Sequence, residues 1–299
     1  MTVYKGIKGF NVQSLATDPL STVGAWSSGN AMNTARSGSA GAGTQTASLV
    51  AGGSPTTANS EEYDGTSWAE GDNLNTAMAY LGGCGTQTAG LAFGGGSGGN
   101  SETDGTEEYN GTSWTEVNNM VAAKTEMGGF GLQTAAIAAG GSGVPNTVLL
   151  DVESYDGTSW TEIANLNTAR FALTGAGIQT SGIVFGGSVS PRGQTETWNG
   201  IAWTEVAVLN TVRDIAGGAG ISNSSALAFG GTDAPNPTAN TEQWDGSSWT
   251  EVANLATARG GLGGTGTVNL ALAFGGTPPV TTATEEWTQA HAIKTVALS

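Results

Sequence analysis

Short apolar runs that close on a pair of glycines recur along the chain: Leu91-Ala92-Phe93-Gly94-Gly95, Ile183-Val184-Phe185-Gly186-Gly187, Leu227-Ala228-Phe229-Gly230-Gly231 and Leu272-Ala273-Phe274-Gly275-Gly276. Two more copies end at Gly52-Gly53 and Gly140-Gly141, so successive copies start 42 to 46 residues apart. After each run comes a segment of the type Glu61-Glu62-Tyr63-Asp64-Gly65-Thr66-Ser67-Trp68, repeated at Glu107 to Trp114, Glu153 to Trp160, Glu196 to Trp203 and Glu242 to Trp249. Aromatic and β-branched residues around Asp-Gly or Asn-Gly predict two short strands joined by a type I′ hairpin turn. Tyr63 and Trp68 are expected on one face of that hairpin, with Glu61 beside them. Segments of small residues, such as Gly38-Ser39-Ala40-Gly41-Ala42-Gly43 and Gly260-Gly261-Leu262-Gly263-Gly264, precede the apolar runs and supply a further strand.

Each unit therefore carries four strands. A lone hairpin cannot bury its apolar face, so the units must stack on one another. Helix-period runs are absent and glycine is everywhere, which excludes a helical solenoid. The expected fold is all-β: a six-bladed β-propeller with four-stranded blades, the smallest side chains on the innermost strands. The repeat covers residues 23–288, leaving an N-terminal arm at 1–22 and a C-terminal strand or tail at 289–299. Trp26 to Asn30 matches an outer strand that has no blade before it, while residues 258–287 supply three strands and no repeat-like fourth. Joining the two ends completes the last blade and removes exposed edges, which puts Trp26 beside Trp287.

Glycine, at 49 of 299 residues, sits at fixed repeat positions, which marks turns and close packing rather than disorder. Nine basic residues against 25 acidic ones give a net charge of −16. Such a surface repels nucleic acid and anionic membranes. A single cysteine, Cys84, and a single histidine, His291, exclude a disulfide framework and make a metal centre unexpected. No cofactor is expected. The first residues lack the apolar run of a signal peptide, and no stretch approaches a membrane span.

The double glycine after an apolar strand, followed by Tyr and Trp on paired strands, resembles the kelch repeat, with a shorter Tyr-to-Trp spacing and more uniform copies. Tyr-Asp-Gly-Thr-Ser-Trp-Thr-Glu with Asn-Leu-Asn-Thr-Ala-Arg is similar to the kelch-type propellers encoded by tailed phages of marine bacteria. That resemblance implies a virion protein, tail- or fibre-associated, used for attachment and host recognition.

Ten residues after six of the nine tryptophans, Trp26, Trp68, Trp114, Trp160, Trp203 and Trp249, stands a basic residue or its substitute: Arg36, Met78, Lys124, Arg170, Arg213 and Arg259. The repeated Glu61, Glu107, Glu153, Glu196, Glu242 and Glu285 are read as partners of Arg36, Arg170, Arg213 and Arg259 in structural ion pairs, since one residue repeated in every blade marks scaffold. Met78 leaves one blade without its arginine. No catalytic residue is expected, because non-repeated acids and bases are few. Cys84 replaces small residues of other copies and reads as buried filler.

The segments after Gly-Gly differ in every blade and hold seven of the eight prolines. Strand alternation brings them out on one face, the layout of a recognition surface. Asp104, Asn146, Arg192, Asp233 and Asn236 are the candidate ligand-binding residues there, suited to a host-surface glycan or protein. The arm, with Lys5, Lys8 and a strand at Ile7–Val12, is expected to join other virion proteins, and Ile293–Leu298 to pair with the arm or with the last blade. The sequence leaves self-association open. A glycan-active propeller enzyme and a bacterial kelch-type interaction module are the alternatives to a non-enzymatic virion component. The expected location is the virion, after synthesis in the host cytoplasm.

Overall fold

The computed structural model describes residues 24–97, 101–190 and 192–289. The expected arm strand at Ile7–Val12, the tail strand at Ile293–Leu298 and Pro191 lie outside the described residues. Every element among them is a β-strand. Six antiparallel four-stranded blades follow one another around an axis, and the inner strands meet in a closed ring. In the first blade the order from the axis outward is Ala40–Thr44, Ala47–Ala51, Ser60–Tyr63 and Trp68–Glu70. The third blade lengthens its two middle strands to Ala135–Gly143 and Thr147–Tyr155, so the variable segment there is a hairpin rather than a loop.

The last blade is closed by the first strand. Ala25–Gly29 pairs antiparallel with Thr284–Thr288, and Trp26 stands directly opposite Trp287. The ring centroids of Trp26 lie 5.5 Å from Trp287 and 4.9 Å from Phe229 of the preceding blade. The same cross-blade contact recurs as Trp68 on Phe274, Trp160 on Phe93 and Trp249 on Phe185.

Inner strands are nearly side-chain-free because they crowd. A Cβ on Gly83 would lie 2.5 Å from the Cβ of Ala40 in the neighbouring blade, closer than real Cβ atoms approach. Cys84 lines the narrow axial channel and is 5% exposed; burial raises its thiol pKa, which suits filler and not a nucleophile.

The Asp-Gly turns differ from the expected type I′ geometry. Tyr63 pairs with Trp68, which leaves four residues in the loop, and only Gly65 takes a positive φ, at 87°. The Asp64 carboxylate explains the difference. Its Oδ1 accepts from the amides of Thr66 at 2.8 Å and Ser67 at 2.7 Å, so the side chain closes the turn. Asn110 and Asn199 do the same in their blades, and Asp245 does so with its carboxyl held down at about 2 by those hydrogen bonds.

Blades are joined by a buried clamp. Arg36 sits on the connection into the first blade, and its Nη2 meets Glu61 Oε1 at 2.6 Å with both side chains fully buried. Its Nη1 donates to the carbonyls of Gly52 at 3.1 Å and Asn59 at 2.7 Å. Glu61 also accepts from the amides of Asn33 and Thr34 and from Asn33 Nδ2. On the other side, the Arg36 carbonyl receives the amide of Gly276 from the preceding blade at 2.9 Å. A Cβ at Gly275 would stand 2.4 Å from that carbonyl, so the first glycine of each pair is required by the approach of the next blade.

Arg170 with Glu196 at 2.9 Å, Arg259 with Glu285 at 3.0 Å and Arg213 with Glu242 repeat the pair. Lys124 takes the arginine's place against Glu153 at 2.9 Å. Among the described residues, Glu107 alone of the six has no cation beside it. Burial lowers the pKa of the arginines while the facing glutamates oppose that shift, as at Arg213.

Two consequences are measurable by denaturant unfolding. Trp26→Ala should cost on the order of 3 kcal/mol, because it opens the closing blade and strips a ring contact. An unchanged midpoint would mean closure does not depend on that strand. Arg213→Met should cost about 3–5 kcal/mol by stranding Glu242 in the interior. A loss below about 1 kcal/mol, the range of exposed pairs, would show the clamp to be solvated.

Candidate functional site

The connections between blades converge on the mouth of the channel, on the face that also carries the segments after Gly-Gly. The second residue past each basic position, at Gly38, Tyr80, Glu126, Ala172, Ile215 and Gly261, adopts a left-handed conformation, with φ between 43° and 62°. The six are joined head to tail. The amide of Tyr80 donates to Gly38, Glu126 to Tyr80, Ala172 to Glu126, Ile215 to Ala172, Gly261 to Ile215 and Gly38 to Gly261, at 2.6 to 2.9 Å. This closed belt crosses every blade boundary. Glycine fits such a backbone freely, whereas Tyr80, Glu126, Ala172 and especially β-branched Ile215 hold it against a conformational cost.

Because the belt fixes its backbone, the side chains there are presented rigidly. Tyr80 lies over Gly38, where a Cβ would come within 2.6 Å of the ring, and it remains 39% exposed. Beside it opens a cleft of about 330 Å³ between the second and third blades. Tyr80 and Phe171 give it aromatic surface, and Glu102, Glu126, Asn146 and Ser142 give it polar groups. Glu102 Oε2 is buried there without a hydrogen-bond partner among the described residues. Burial, with Asp214 across the mouth as a lesser cause, raises the pKa of Glu126.

Of the residues singled out from sequence, only Asn146 lines this cleft. Its φ of 53° places it at the tip of the third-blade hairpin, exposed. Asp104 is on the same face but faces the rim, where its Oδ1 accepts from Asn119 Nδ2 at 3.0 Å. Arg192 lies 3.7 Å from Asp214, which also takes the hydroxyl of Ser188, so its charge is partly spent at the mouth. Asp233 and Asn236 face each other across an exposed two-residue ladder in the fifth blade. The five are thus spread over four blades and do not form one site.

Tyr80, Glu126 and Phe171 went unread because the stretch past each basic position looks uniformly small in the first and last copies. The signal was there: Ser37-Gly38, Ala79-Tyr80, Thr125-Glu126, Phe171-Ala172, Asp214-Ile215 and Gly260-Gly261 differ in every blade. No group of three or more His, Cys, Asp or Glu suited to a metal ion exists among the described residues.

Fold and mouth together define a six-bladed β-propeller with an aromatic-acidic cleft on its variable face. In comparisons with known proteins, no family model matches the chain and no curated protein matches it significantly.

The raised Glu126 carboxyl has a pH consequence. Relative to Glu126→Gln, the folded state gains stability below the unfolded carboxyl range of about 4.3 and loses it as pH rises through the raised folded value. Unfolding curves of the two proteins should therefore diverge between pH 4 and neutrality, and parallel curves would place Glu126 in a solvated setting.

Proposed function

We propose that this chain is a non-enzymatic recognition propeller of a phage particle, tail- or fibre-associated, and that the cleft between the second and third blades takes a neutral glycan of the host surface. The cleft carries the reading. A partly exposed ring at Tyr80 with Phe171 nearby offers the apolar face that stacks on a sugar, and Glu102, Glu126, Asn146 and Ser142 offer acceptors and donors for its hydroxyls. The unpartnered Glu102 Oε2 supports a ligand that brings its own donors. A net charge of −16 disfavours an anionic polysaccharide.

The kelch-like double glycine and the Tyr-Asp-Gly-Thr-Ser-Trp style of the copies support the virion assignment. Joining of other virion proteins through residues 1–22 belongs to the same proposal. So does location in the particle.

The test is binding of the purified chain to a panel of neutral and anionic bacterial polysaccharides. A neutral one should bind, and Tyr80→Ala and Glu102→Gln should each weaken it by about tenfold or more, the loss of one well-placed contact. Asp233→Ala and Asn236→Ala should leave affinity unchanged. Replacing residues 142–150 by the shorter 54–59 segment should abolish binding while the fold persists. Binding indifferent to Tyr80 and Glu102, or confined to anionic chains, would remove the cleft from this role.

A further inference from the structure

Among the described residues, the second blade has no cation where the other five hold one at their buried glutamate. Its position is taken by Met78, 2% exposed, whose side chain cannot reach Glu107 as an ion. Everything else that receives the guanidinium in its neighbours is retained. Glu107, also 2% exposed, accepts from the Asn75 amide at 2.8 Å, Asn75 Nδ2 at 2.9 Å and the Thr76 amide at 3.1 Å. Asn33 and Asn210 hold the glutamates of the Arg36 and Arg213 clamps in the same manner. The carbonyls that take Nη1 in those clamps, Gly52 and Asn59 or Gly230 and Asn240, correspond to Gly94 and Gly105.

Where the guanidinium head would sit, the second blade has a cavity of about 210 Å³, lined by Thr76, Met78, Gly105, Glu107, Glu116 and Asn119. Glu116 pairs opposite Glu107 on the adjacent strand and is exposed, which gives the cavity an acidic opening at the rim. Its counterparts Glu70 and Glu251 add to the field on Arg36 and Arg213. A carboxylate sealed in the interior without a counter-ion is costly, and hydrogen bonds from neutral amides offset only part of that cost.

We infer that this cavity is a binding site for an alkylguanidinium group, supplied by a small guanidinium compound or by an arginine side chain of a partner. The preference is for guanidinium over ammonium. Asn75 matches three of the four arginine-bearing blades, at Asn33, Asn167 and Asn210, while the Arg259 blade has Ala256 and the lysine-bearing blade Val121 at that place. The bonds made by the head group discriminate better: Nη1 of Arg36, Arg170 and Arg213 donates to two carbonyls, whereas the Lys124 ammonium meets Glu153 and, among the described residues, no such carbonyl. The planar fork can satisfy Glu107 and the Gly105 carbonyl together, as Arg36 does with Glu61 and Asn59. An ammonium ion presents no such fork.

The experiment uses the full chain with methylguanidinium, methylammonium and an end-blocked arginine tripeptide at millimolar concentration and constant ionic strength, read by calorimetry and by melting temperature. Methylguanidinium should bind saturably, raise the melting temperature, and bind at least about tenfold more tightly than methylammonium. Met78→Arg should abolish that binding and raise the melting temperature by itself, since it restores the clamp with Glu107 in place. Glu107→Gln should weaken binding by at least about tenfold, and if it fails to fold, Met78→Arg still serves as the blocked control. Tripeptide binding of similar strength would identify a partner's arginine as the source, and methylguanidinium binding alone a small free ligand. Absence of saturable binding, or equal binding by Met78→Arg, would overturn the inference and leave the cavity to water.

Discussion

The propeller depends on one buried contact repeated around its axis: in five of its six blades, a cation on the connection into the blade is clamped to that blade's third-strand glutamate. Hydrophobic packing between blades is non-directional and would tolerate several angles between neighbours. The clamp does not. Arg36 binds Glu61 and two carbonyls of the first blade through its side chain, while its own carbonyl receives Gly276 from the last blade. One residue thus fixes the distance between two blades and the path of the connecting segment. The repeated glycine pair follows from it, because a side chain at the first glycine would strike that carbonyl.

Further contacts reinforce the same interfaces. Tyr63 donates to Glu286, Tyr109 to Glu62 and Tyr155 to Glu108, each reaching back to the preceding blade at 2.5 to 2.9 Å. Gln45, Gln87 and Gln133, from the turns after the inner strands, donate to the carbonyls of Trp287, Tyr63 and Tyr109 of the preceding blade. Both glutamates of the Glu-Glu-Tyr signature are therefore used. The first serves its own blade's clamp and the second the tyrosine of the next. This division was not legible in sequence, since alternation puts the two on opposite faces without saying what each face meets.

What repetition determines, the sequence displays. Strand content, blade number, closure by Trp26 and the pairing of Arg36, Arg170, Arg213 and Arg259 with glutamates all follow from residues that recur in phase. The Asp64 turn was misread because Asp-Gly is compatible with several turns, and the choice depends on whether a side chain can serve the free amides of Thr66 and Ser67. The cleft was hidden for a different reason. Variation was sought in the long segments after Gly-Gly, yet two residues past each basic position vary equally and are held at the mouth by the left-handed belt. Asp104, Arg192 and Asp233 vary in sequence, but their neighbours use them or their blades disperse them.

Departure from the repeat is where such a scaffold can carry information, because every conforming position is already committed to holding the ring. Two departures fall on one connection. Met78 and Tyr80 stand two residues apart on one connection, and the first removes a buried charge while the second puts an aromatic ring on a backbone that favours glycine. Both carry a cost in the folded state, and both open onto a cavity bounded by carboxylates. Locally unfavourable choices that persist beside concave, polar space are the physical mark of a surface built to meet something else. By that criterion the connection from Asn75 to Tyr80 joins the Ser142 and Asn146 segment as the place where the proposed recognition is best sought.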